Sequence, residues 1–71
     1  MFTDEFSYIL QLKGKTAYNV AKNTGISQGL MNEYKNGVKI PSAVNLKKIA
    51  DYLDVSVDYL LGRTDNPQIN K

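Results

Sequence analysis

The chain has no cysteine and no histidine. Without cysteine, no disulfide can staple it. Without either residue, the usual nitrogen and sulfur ligands of a zinc site are missing, and so are Cys- and His-based catalysts. There is no glycine-rich phosphate loop and no evident pair of buried carboxylates. Asp54 and Asp58 stand four apart, but they flank a helix cap and read as partners of the helix dipole. The expectation is a protein that is not an enzyme and needs no cofactor and no metal. No apolar run approaches the roughly 20 residues of a membrane span. The start, MFTDEFSYIL, carries acids where a signal peptide would carry positive charge. A soluble, unexported chain without membrane contact is expected, in a cytoplasmic setting compatible with zero cysteine. Strand patterning, repeats and low-complexity tracts are absent as well.

What is present is enough for one small domain. A chain of 71 residues buries only about 60% of its unfolded surface and is marginally stable. The net charge of +2 hides an uneven distribution. Between Lys13 and Lys48 there are seven lysines (13, 15, 22, 35, 39, 47, 48) against one acid, Glu33, a net of +6. The remainder has six acids (Asp4, Glu5, Asp51, Asp54, Asp58, Asp65) against Arg63 and Lys71, a net of −4. A basic middle between acidic ends suggests a polyanionic partner on one face. Lysines that merely solvate a small domain are the alternative on charge alone.

Five helix-sized segments follow from caps, periodicity and stops. Thr3 or Asp4 can cap the first, where Phe6, Ile9, Leu10 and Lys13 fall at helical spacing and Gly14 supplies the stop. Thr16 caps the second, with Ala17, Val20 and Ala21 as a small apolar face and Gly25 at its end with positive φ. Ser27 caps the third, which runs to about Tyr34 and closes at Asn36-Gly37. VKIP reads as loop, because Pro41 disfavours helix at the residue before it. Ser42 caps the fourth, whose buried face is expected from Val44, Leu46, Ile49, Ala50 and Leu53. Ser56 caps a short fifth, VDYLL, stopped by Gly62. Tyr34 and Tyr52 are expected to be core or half-buried. The expected division is a domain over 1–62 and a flexible polar tail over 63–71. The fold class is all-α, a compact five-helix bundle.

Residues 16–34, TAYNVAKNTGISQGLMNEY, form two helices joined by a tight turn containing Gly, which is the helix-turn-helix unit. Ala21 is small where the helices must approach, Gly25 allows the bend, and Ile26 and Met31 plug the space between them. Ser27, Gln28, Gly29, Asn32 and Glu33 are left on the outward side.

The run from Thr16 to Gly62 resembles the lambda repressor-like, Cro/C1-type (XRE) helix-turn-helix family, small phage or low-GC bacterial members in particular. The resemblance rests on TAYNVAKNTG, on Gly25 with ISQ after it, on KNG at 35–37, on PS at 41–42 and on LKKIADYLDVSVDYLLG, about two thirds of the chain. It implies a DNA-binding domain whose third helix lies in the major groove. Base contacts are then expected from Ser27, Gln28, Gly29, Asn32 and Glu33. A Gln amide can pair with adenine N6 and N7. Gly29 implies either close backbone approach or a position under little constraint. Glu33 can accept from cytosine N4, or repel phosphate and orient a neighbouring lysine. Phosphate contacts are expected from Lys15, Thr16, Ala17, Tyr18, Lys35, Asn36 and Lys39, whereas Lys22, Lys47 and Lys48 read as solvated. A homodimer on DNA is expected, with half-sites roughly 34 Å apart and contacts through Val57, Tyr59 and Leu60.

The expected function is therefore a sequence-specific transcriptional regulator that reads operator double-stranded DNA with helix 27–34, a Cro-like repressor rather than a two-domain lysogeny repressor. A second reading belongs to another class: a modulator or antirepressor that uses the same fold to bind another repressor protein through the Leu30 region. Many family members carry Gln where Ala17 stands and a small polar residue near Leu30, and these departures motivate that reading. Two other departures are Lys35 in place of a common Glu and Asp54 in place of a common Gly at the break after the fourth helix.

Overall fold

The computed structural model describes residues 2–63, which form α1 (Phe2–Lys13), α2 (Ala17–Thr24), α3 (Gln28–Lys35), α4 (Ala43–Leu53) and α5 (Val57–Leu60). Among the described residues there is no strand, and the expected all-α architecture is what forms. Four helices begin on a hydroxyl. Thr16 Oγ1 accepts from the Asn19 amide while Asn19 Oδ1 accepts from the Thr16 amide, a complete capping box. Ser27, Ser42 and Ser56 accept in the same way from the amides of Leu30, Asn45 and Tyr59. Each cap satisfies a donor that the helix itself cannot, which matters most in helices this short.

The first helix departs from expectation. It is already helical at Phe2, so Thr3 and Asp4 occupy its first turn and cap nothing. Phe2 is buried and its ring stacks on Phe6, one turn on, at 5.0 Å. Burying an aromatic ring outweighs a surface cap. Asp4 and Glu5 still sit where the helix dipole favours negative charge, and Lys13 is exposed at the other end.

The core is assembled from all five helices, with Phe6, Ile9, Val20, Met31, Ile49, Leu53 and Leu60 fully enclosed. The α2 helix packs on α3 and α4, and α1 lies across α3, α4 and α5. On α4 the inward residues are Leu46, Ile49, Ala50 and Leu53, and Val44 is 65% exposed. Its assignment to the buried face is corrected by helix geometry: two residues before Leu46 is more than half a turn away, on the opposite side. Tyr34 is buried and Tyr52 half-buried, as expected.

Beyond α5 the chain turns through Leu61 and Gly62, and Arg63 closes the turn with its amide on the Asp58 carbonyl and its guanidinium 3.9 Å from the Asp58 carboxylate. The rest of the expected tail, 64–71, lies outside the described residues.

Candidate nucleic-acid interface

The turn between α2 and α3 is held tightly. Gly25 adopts φ 79, ψ 6, a left-handed conformation that a side chain would resist, and its amide bonds back to the Ala21 carbonyl. Ile26 then drops into the core beside Ala21 and Met31. Thr24 adds a brace that the sequence did not single out: its hydroxyl donates to the Val20 carbonyl at 2.6 Å and accepts from the Ile26 amide at 3.3 Å. A hydroxyl one residue before a turn glycine is the local signal that points to it.

With Met31 and Tyr34 turned inward, the helical repeat puts Gly29 at the middle of the outward face of α3. Gln28, Gly29 and Asn32 are exposed, Glu33 one turn after Gly29 is half-buried, and Ser27 is exposed at the start. The Ser27 oxygen is already engaged by the Leu30 amide, which leaves its O–H to donate outward. The space above Gly29 is open: a Cβ there would meet nothing of the protein within 4 Å. Leu30 is half-buried and packs against the core.

The flanks carry the anion-binding chemistry. At the start of α2 the amides of Thr16 and Asn19 are taken by the capping box, while those of Ala17 and Tyr18 have no acceptor one turn back. They and the helix dipole suit a phosphate. The Ala17 methyl is buried, so only its backbone is available; Tyr18 is 54% exposed beside it. Past the other end of α3, Lys35, Asn36 and Lys39 are exposed, and Lys39 Nζ lies 3.7 Å from Glu33 Oε2. Lys15 is exposed but leans away toward α4, its ammonium 5.9 Å from the Tyr52 ring centroid. Attraction to the ring face explains that placement, and the Tyr52 hydroxyl in turn accepts from Asn23 at 3.4 Å. The structure thus brings the expected base-facing residues onto one surface, while of the phosphate-contact candidates Lys15 is turned away toward α4.

The expected dimer contacts fare differently. Tyr59 and Leu60 are buried in the core, and only Val57 is half-exposed. A four-residue helix that packs on both α1 and α4 spends its inward pair on the fold, which removes Leu60 and most of Tyr59 as surface for a second copy.

No helix among the described residues is long and apolar enough to cross a membrane. The helix-turn-helix family model HTH_3 matches residues 7–60. The chain is 43% identical over 56 residues to the cryptic phage CTXphi transcriptional repressor RstR of Vibrio cholerae serotype O1, covering 76% of this chain and 50% of that protein. It is 40% identical over 50 residues to the uncharacterized HTH-type transcriptional regulator YazB of Bacillus subtilis, covering 70% of this chain and 72% of YazB. To YqaE, another such regulator of Bacillus subtilis, it is 32% identical over 69 residues, covering 97% of this chain and 60% of YqaE. The chain therefore spans half the length of RstR and 60% of the length of YqaE. No solved structure matches it. The family match runs from the middle of α1 through α5, and the chain belongs to the helix-turn-helix family of the Cro/C1 (XRE) type, a family of DNA-binding transcription regulators.

Proposed function

We propose that the chain is a Cro-like repressor that reads operator double-stranded DNA with α3 and binds as a homodimer. The observation that carries this reading is the exposed polar face of Gln28, Gly29 and Asn32, with the amides of Ala17 and Tyr18 on one flank and Lys35, Asn36 and Lys39 on the other. A groove-facing strip of amide side chains between two phosphate-binding margins is what sequence-specific docking needs. The longest dimension is 30 Å, less than the roughly 34 Å between successive half-sites, so one copy per half-site is sterically allowed. A lone module of this size buries little DNA surface, which favours two copies acting together. Val57 is the part of the expected dimer patch that retains exposed surface. The repressor named among the relatives, RstR, supports repression as the outcome.

Selection of bound sites from a random duplex pool at about 0.1 M salt, where screening is moderate, tests the proposal. Enrichment of a pseudo-palindrome with half-sites one turn apart is the expected result. Recovery of no preferred sequence from folded protein would overturn it and move the function to a protein partner.

A further inference from the structure

Glu33 is the one acid between Lys13 and Lys48, the span that carries the candidate DNA-binding residues, and a carboxylate among phosphates opposes binding unless it has another task. Its position identifies that task. The Glu33 main-chain carbonyl accepts from the amides of Val38 at 2.9 Å and Lys39 at 3.4 Å, and its carboxylate stands 3.7 Å from the Lys39 ammonium. One residue therefore holds the loop after α3 by backbone and side chain together. The loop is seated from the other side as well: Gly37, at φ +77, lies against Thr3 of α1, whose Oγ1 would be 3.4 Å from a Cβ at Gly37. Glu33 itself lies one turn after Gly29 on the outward face and is half-buried, whereas Gln28, Gly29 and Asn32 are exposed.

We propose that Glu33 is a positioning residue for DNA binding: it holds the Lys39 ammonium at the rim of the groove, where it meets a phosphate, and reads no base. This rests on the operator-binding reading above. Opposing contributions are expected from the carboxylate, namely repulsion of the phosphates and orientation of the lysine.

A double-mutant cycle separates them. Binding of the duplex recovered from the random pool is measured for the full chain, E33Q, K39A and E33Q/K39A, across a range of salt. With Lys39 present, E33Q is expected to weaken binding roughly two- to five-fold, the scale of an exposed ion pair, equally for all sequences. In the K39A background, E33Q is expected to strengthen binding, because only repulsion is relieved. The salt slope of E33Q is expected to fall toward that of K39A, by up to about one phosphate contact. The loop backbone bonds survive the substitution, so the melting curves of the four proteins should stay close. An equal effect of E33Q in both backgrounds, or a change of preferred base in E33Q, would overturn the assignment while leaving operator binding standing. Failure of the unsubstituted chain to bind duplex DNA would remove both.

Discussion

The Tyr34 hydroxyl, near the end of α3, accepts a hydrogen bond of 3.0 Å from Asn45 Nδ2 in the first turn of α4. The same ring meets Phe2 of α1 edge-on at 6.3 Å. The third helix is thus clamped at its far end by two other helices, one polar contact and one aromatic. Tyr34→Phe keeps the ring and removes the acceptor, and should lower stability by about 0.5–1.5 kcal/mol in urea denaturation. In an Asn45→Ala background the same change should cost much less. An undiminished cost there would mean that the bond is not the source.

Gly29 presents the clearest conflict between fold and function. Inside a helix, glycine costs about 1 kcal/mol relative to alanine, and no neighbour crowds the position where its Cβ would stand. Gly29→Ala should therefore raise the melting temperature by roughly 4–8 °C, as 1 kcal/mol does in a domain of this size. It should at the same time weaken operator binding, if the helix backbone comes close to the base edges. A more stable protein with unchanged affinity would show instead that the position is merely unconstrained.

Gln28 and Lys35 should differ in kind. Gln28→Ala is expected to cost about 1–3 kcal/mol on the preferred site and to relax selection at one base pair, whereas Lys35→Ala should weaken all sequences alike and reduce the salt slope by about 0.9. Site selection repeated on each variant checks this. Unchanged preference after Gln28→Ala would remove the assigned base contact.

Asp54 closes α4 in the left-handed region, φ 57 and ψ 47, the only non-glycine residue with positive φ among those described. A side chain there is strained, and glycine is the usual solution. Asp54→Gly should stabilise the protein by about 0.5–1 kcal/mol without altering DNA affinity. A loss of stability would show that the carboxylate contributes more than its strain costs.

Much of this was legible because it is local. The hydroxyls of Thr16, Ser27, Ser42 and Ser56 act within three residues, and the left-handed Gly14 and Gly25 are fixed by their own turns. The outward side of α3 follows from the spacing of Met31 and Tyr34 alone. What was not legible depends on which helices meet. The bond from Asn45 to Tyr34 joins residues 11 apart and that from Asn23 to Tyr52 residues 29 apart, and no local rule pairs them. Tyr59 and Leu60 looked available because α5 is too short to show which side is inward. Phe2 was passed over because Thr3 and Asp4 offered a cap, and only the packed structure shows the ring outweighing it.

Among the described residues, the side chains of Gln28 and Asn32 take no part in the hydrogen bonds or ion pairs that hold the molecule together, and Gly29 has none to offer. If the proposed operator reading holds, the letters that choose a binding site are thereby detached from the frame that carries them. A lineage built on this frame can exchange those letters and acquire a new target without first repairing its fold, so relatives can share architecture and still be deaf to one another's sites.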